Sequence, residues 1–351
     1  AASDVYKRQA EDFILSSIPE LENCDKAIAV QVHLYYEDLL EEFCGYLDNI
    51  PYKFDLFISC QESADAKAIK ERAEQIKYVN KVEVKPCPNR GRDVAPMFVW
   101  FRDEIKKYDY VLHMHTKKSL YTGEERVGWR QYSLESLIGS PQLVKKIFHI
   151  LEEEDGFGLV YPDNHEDVPM LAYSWLANEA EGRRLLADLG VPFDNGIFTY
   201  PAGSFYWAKV KAIKALFDRK FTIKNFPEEA GQTDGTLAHA IERGIEFVAK
   251  SRHYVDAIVD TRENVVRKIT SNKAFRSYYE VCADVVEEYL ATFDTISFDI
   301  FDTLITRCVL KPDDVFELLE RKIKTKYGIS LDYLSVRKQA EAKAWEKKQC
   351  Y

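Results

Sequence analysis

An α/β fold built on a mostly parallel sheet flanked by helices is predicted by three observations. Short apolar segments alternate with helical patterns from Lys26 onward, the order of βα units. The chain has 351 residues, 46% of them hydrophobic, enough for one large core and for part of a second. One apolar strand, within Tyr108–Ser119, ends abruptly in a cluster of imidazoles and ammonium groups. Open α/β sheets bind ligands at such strand ends.

The elements follow in order. Ala27–Tyr35 is expected as a strand, Asp38–Leu47 as a helix, Phe54–Cys60 as a strand, Ala64–Ile76 as a helix and Val79–Val84 as a strand. Val94–Lys107 reads as the next helix, with Asp93 standing where its cap belongs. In the strand that follows, the period of two puts Val111, His113 and His115 on one face and Tyr110, Leu112 and Met114 on the other. Further on come a helical pair over residues 128–153, a strand Gly158–Tyr161, helices within Tyr173–Leu189, a strand Gly203–Trp207 and a helix Gly235–Arg243. Residues 25–260 are thus expected to form one α/β domain. Residues 261–292 read as a helical linker, and residues 293–351 begin a second α/β unit with the strand Thr295–Phe301. Residues 1–24 are set aside as a non-native, flexible segment, because Ser3–Gln9 resembles translated sequencing-adapter DNA. Lys347–Tyr351 breaks off inside a helical pattern without a stop signal, so a fragment is expected.

Composition narrows the function classes. A net charge of −10 argues against non-specific nucleic-acid binding, so the basic residues of the middle segment point to a local site. Seven cysteines without CxxC or metal-ligand spacing suggest reduced thiols and a cytoplasmic setting. No apolar run reaches the roughly 18 residues of a membrane span.

Three constellations carry chemistry. In the first, Asn89, Arg90, Arg92 and Asp93 precede a helix, and His113, His115, Lys117 and Lys118 close a strand about 20 residues later. Arginine forks and lysine point charges suit a diphosphate. Taken singly, these are ordinary loop charges; together they outline a cationic pocket. An HxH pair also puts two zinc ligands on one face, but no third ligand lies near it in the sequence. In the second, Phe226–Gly244 sets Glu228, Glu229 and Asp234 ahead of a helix bearing His239, Glu242 and Arg243. An acid there serves either as a helix cap or as a general base. A nearby segment, Tyr200–Trp207, offers Gly203 for close backbone approach and Tyr206 and Trp207 for stacking on a sugar. An ordinary buried aromatic strand would look the same.

The stretches Val32–Tyr36, Asn89–Pro96, His113–Ser119, Trp129–Arg130, Pro201–Gly203 and Asp234–Arg243 stand in one order over most of a domain. In these the chain resembles the rhamnan synthesis protein F family of bacterial polysaccharide glycosyltransferases. The resemblance implies a GT-A-like (Rossmann-like) fold and transfer of a sugar, expected to be L-rhamnose from dTDP-L-rhamnose, to a surface-polysaccharide precursor. It implies a lipid-linked glycan acceptor at the inner face of the cell membrane, peripheral membrane association and no nucleic acid. Inverting enzymes of that fold carry DxD at the strand end, where this chain has His113–His115. Imidazole and lysine are poor ligands for a hard cation. A metal-independent enzyme is therefore expected, with Mg²⁺ as the alternative. Arg90, Arg92, Lys117 and Lys118 would stabilise the departing diphosphate. Asp234 takes the place of the base, with Glu229 and His239 as further catalytic candidates and Gly203, Tyr206, Trp207 and Trp129 on the acceptor or sugar side.

The third constellation, Ser297–Ile305, resembles the first motif of the haloacid dehalogenase superfamily, with Asp299 at the position of the nucleophile. The acid/base aspartate expected two residues later is replaced by Phe301, and Asp302 follows it. Two rival readings thus accompany the transferase: a hydrolase acting through Asp299, and a catalytically silent carbohydrate-binding or scaffold module.

Overall fold

A computed structural model of the chain describes residues 12–116, 127–152, 156–165, 168, 172–196, 198–269, 314–330 and 332–348. Lys117, Lys118, Asp299 and the strand Thr295–Phe301 lie outside the described residues, as does most of the expected linker. The chain divides into two compact units, Ala1–Glu280 and Val281–Tyr351.

The first unit is built on nine strands: β1 (Asp12–Ile14), β2 (Ile28–Leu34), β3 (Phe54–Gln61), β4 (Val79–Cys87), β5 (Tyr110–His115), β6 (Phe157–Pro162), β7 (Tyr206–Lys209), β8 (Val255–Asp260) and β9 (Val265–Ile269). They form one sheet in the order β1-β9-β8-β6-β7-β5-β2-β3-β4. The parallel pairs are β2 with β3, β2 with β5, β3 with β4 and β6 with β8. Only β7 and β9 run against the rest. This is the helix-flanked, mostly parallel α/β sheet expected, consistent with a Rossmann-like glycosyltransferase fold.

Among the described residues, eight helices accompany the sheet: α1 (Leu40–Leu47), α2 (Ala66–Ala73), α3 (Arg102–Ile105), α4 (Val127–Ile138), α5 (Pro141–Glu152), α6 (Glu179–Asp188), α7 (Lys214–Asp218) and α8 (Leu237–Ser251). The sheet is buried on both faces, each under its own core. Ile28, Val30, Val32 and Leu34 of β2 and Tyr110, Leu112 and Met114 of β5 point into one. Ala29 and Val111 enter the other, with Phe98, Trp175 and most of α8. The period of two in β5 therefore assigns its faces as expected.

Several boundaries differ from the sequence reading. Residues 12–24 belong to the fold: β1 pairs antiparallel with β9, and Leu15 is buried. The segment read as a linker opens with β9, whose alternation Val265–Ile269 is short and set among charges. The expected helix Val94–Lys107 is broken into a π turn, Pro96–Trp100, and the short α3. Asp93 caps neither, because its carboxylate is turned into the sheet. The last helix runs on to Ser251. Gly244, just past the expected end, lets α8 approach α6 closely: a Cβ there would stand 3.3 Å from a Leu185 methyl.

The second unit, among the described residues, consists of α9 (Asp314–Tyr327) and α10 (Tyr333–Lys348), which pack on each other. No helix of the described residues is long and apolar enough to cross a membrane.

Candidate functional site

The strand order reverses beside β2. The chain runs outward from β2 through β3 to β4, then returns with β5 on the other side of β2. At such a reversal the loops after the two strands diverge and leave a crevice beyond their carboxyl ends. His33 and His115 are register partners at that end, and the Tyr36 amide donates to Thr116 Oγ1 at 2.9 Å, tying the exits together.

Asp93 enters this crevice from the β4–α3 loop. Gly91 and Arg92 are both in the left-handed region, with φ of 74° and 55°. Glycine is required at the first: a Cβ would stand 2.5 Å from that of Ala95 and 2.8 Å from the Phe226 ring. The turn aims Asp93 at the strand ends, where His113 Nε2 donates to its carboxylate at 3.2 Å. His113 is 1% exposed and leans on the Tyr206 ring, so it orients Asp93 rather than meeting a ligand, as the sequence reading had it. Burial alone would raise Asp93; the charge of His115 and the hydrogen bond and charge of His113 outweigh it and hold the carboxyl well below its usual range. His33 is pushed down to about 4 by burial, against the pull of Asp93, and its Nδ1 pairs with Ser59 Oγ at 2.9 Å.

The two arginines expected to grip a diphosphate already have partners. Arg90 Nε donates to the Phe226 carbonyl at 2.7 Å, and Arg92 donates to the Gln232 carbonyl. Glu229 accepts from the Gly91 amide at 3.2 Å and stands 3.8 Å from Arg92 Nε. The arginine loop and the segment after Phe226 are thus fastened together, which the sequence spacing did not reveal. Arg92 still faces the crevice, together with Asn89, His33, Tyr35, His115 and Glu229, around a cavity of about 670 Å³. Arg90 does not line it.

A second cavity, of about 570 Å³, adjoins the first across Arg92, Asp93 and His115. Trp129, Gly203, His239 and Glu242 form its far wall. Gly203 has φ 87°, and a methyl group on it would come within 3.1 Å of the Trp129 ring. Its carbonyl accepts from His115 Nε2 at 2.5 Å, which fixes the proton on that nitrogen. Its amide donates to Glu242 Oε1 at 2.7 Å. His239 Nδ1 pairs with Thr236 Oγ1 at 2.8 Å.

Three predicted residues lie elsewhere. Asp234 lines neither cavity: it accepts from the Ala177 amide at 3.2 Å and from Asn178 Nδ2, and it lies 3.4 Å from Arg243 Nη1. Tyr206 and Trp207, read as sugar-stacking rings, are interior, 4% and 0% exposed. They sit on opposite faces of the sheet, Trp207 donating to the Leu137 carbonyl at 3.3 Å. Of the four residues assigned to the sugar side, Trp129 and Gly203 reach a cavity.

Among the described residues no three His, Cys, Asp or Glu side chains are arranged to hold a metal ion. A hard divalent cation needs several oxygen ligands. The strand end offers imidazoles around one carboxylate already engaged by His113, and these residues do not fit such an ion.

The sequence profile described as rhamnan synthesis protein F matches residues 6–254. The chain belongs to that family. Both cavities, all eleven residues named above as lining them, and the β2–β5 switch lie inside the matched span. Two relatives, each an uncharacterized protein WxcX from a strain of Xanthomonas campestris pv. campestris, are 31% identical to this chain over 249 residues. The match takes in 68% of this chain and 34% of each relative, so the chain spans about a third of the length of the curated relatives it matches. Membership ties the rhamnan synthesis protein F domain to polysaccharide synthesis.

Sequence reasoning did not name His33, and it placed Glu242 on the helix of the second constellation without giving it a role. His33 is the penultimate residue of β2 and His115 the last of β5, and a histidine near each strand's end was the available signal. The role of Glu242 was hidden because its partner Gly203 is 39 residues away.

Proposed function

We propose that the first unit is a metal-independent, inverting glycosyltransferase that moves a sugar, L-rhamnose, from dTDP-L-rhamnose to a lipid-linked polysaccharide precursor. The observation that carries this reading is the paired cavity at the switch point. One half is lined by Asn89, Arg92, His33 and His115, the other by Trp129 and Glu242. The first supplies hydrogen-bond donors and positive charge for a nucleoside diphosphate, and the half-buried Trp129 ring beside Gly203 supplies a stacking surface for an acceptor sugar.

In the reaction an acceptor hydroxyl oxygen attacks the anomeric carbon from the face opposite the leaving group. The bond from that carbon to the diphosphate oxygen breaks, and the diphosphate departs with the electron pair. Arg92 stabilises its growing charge with His115 beside it, while Asp93 and His113 hold the imidazole cluster in place. Lys117 and Lys118 directly follow the strand end in sequence and are proposed as further cations for the same group. The acceptor's lipid and the inner face of the cell membrane, where the enzyme would bind peripherally, belong to the same proposal.

The test is calorimetric titration of the chain with dTDP-L-rhamnose, UDP-glucose and GDP-mannose, each with Mg²⁺ and with EDTA. Binding of the dTDP sugar alone, unchanged by EDTA, is the expected result. A requirement for Mg²⁺ would overturn the role given to the cationic cluster, and binding of no donor would leave a scaffold module instead.

A further inference from the structure

Resting on that reading of the cleft, we infer that Glu242, and not Asp234, is the base that takes the proton from the attacking hydroxyl. The argument turns on the Gly203 peptide, which joins the two cavities. Its carbonyl accepts from His115, which lines both, and its amide donates to Glu242 in the second. Trp129 covers the same glycine. A sugar stacked on Trp129 therefore lies beside a carboxylate already oriented by a backbone donor, with the imidazole of the donor cavity one peptide away.

The other candidates are placed less well. Asp234 sits outside both cavities, held by the Ala177 amide, Asn178 and Arg243, away from any hydroxyl bound in either of them. Glu229 lies on the diphosphate side, attached to the Gly91 amide, where its charge stands against the leaving group and not the acceptor. His239 reaches the same cavity as Glu242, one turn earlier on α8. Its Nδ1 is already paired with Thr236 Oγ1 at 2.8 Å. Arg243 stands 3.9 Å from the second Glu242 oxygen and helps to orient the carboxylate. The proton passes to Glu242 as the new glycosidic bond forms and the diphosphate bond breaks.

The test compares the unmodified chain with E242Q, E242D and D234N, using dTDP-L-rhamnose as donor and methyl α-L-rhamnoside or water as acceptor. Release of dTDP is followed across pH, with donor affinity measured by calorimetry. Glutamine keeps an oxygen for the Gly203 amide, so the expected E242Q protein folds and binds donor within about twofold. Its turnover falls by about 10²–10⁴-fold, the acidic limb of the pH profile disappears, and E242D restores part of both. D234N loses less than about tenfold. Retention of turnover and of the acidic limb by E242Q, or a greater loss in D234N, overturns the inference. Donor binding without turnover in the unmodified chain also overturns it while leaving the donor site standing, and absence of donor binding removes the proposed function itself.

Discussion

The domain buries two groups of charge, and they serve opposite ends. At the strand ends Asp93 is surrounded by His33, His113 and His115, and the group opens onto both cavities. Between α8 and β8, Glu246, Lys250 and Asp256 are sealed away and line no cavity described above. In the first group one carboxylate faces three imidazoles, beside Arg92 at the cavity wall. In the second, two carboxylates share one ammonium, and Tyr161 donates to Asp256 at 3.4 Å. Burial raises Glu246 to about 8 and raises Asp256, against the pull of Lys250. Buried charge marks a site where it is left open and incomplete; where it is closed it is part of the core.

The largest expected effect breaks the sealed group. Lys250→Met leaves two carboxylates without their cation and should cost about 3–5 kcal/mol in urea unfolding, with turnover per folded molecule unchanged. Asp93→Asn comes next: it unpairs buried His113, and a loss of about 1–3 kcal/mol is expected, accompanied by weaker donor binding measured by calorimetry. A stability loss with unaltered donor affinity would make the open group as purely structural as the sealed one.

The smallest effects sharpen the contrast through pH. Folding raises Glu246 from 4.5 to about 8, so the folded state holds a proton that the unfolded chain has lost; this stability is present below about 4.5 and disappears as pH rises toward 8. Folding lowers His33 from 6.5 to about 4, so there the unfolded chain takes the proton first, and stability disappears as pH falls from 6.5 toward 4. Asp93, also lowered, adds to the loss on the acid side. Thermal melts of Glu246→Gln should flatten the alkaline decline, and those of His33→Asn the acidic one. The same slope change in both variants would dissolve the distinction.

What the sequence disclosed follows the range of each interaction. The period of two in β5 assigned its two faces, because that pattern depends on neighbouring residues alone. The switch point was foreseen as a site, and Asn89, Arg92, Asp93 and His115 were named in advance. Their partners were not. Arg90 and Arg92 read as free cations because the carbonyls that receive them come about 140 residues later. His113 read as a ligand contact because the Tyr206 ring that covers it is its register partner on an antiparallel strand, β7. The last helix was expected to end at Arg243, and the use of Gly244 in α6–α8 packing depends on the distant Leu185. β1 spans three residues, too few for any alternation to declare itself.

The pairing of β1 with β9 has a mechanical consequence. Asp12 lies opposite Arg267 and Ile14 opposite Val265, so the segments leading into and out of the sheet leave from the same end of this pair. Tension between them would load the bonds one after another, like a zipper, instead of shearing them together. Within a longer polypeptide, a pull on both flanks would detach this edge first, while the β2–β5 seam beneath the cavities, five strands inward from β9, carried no load.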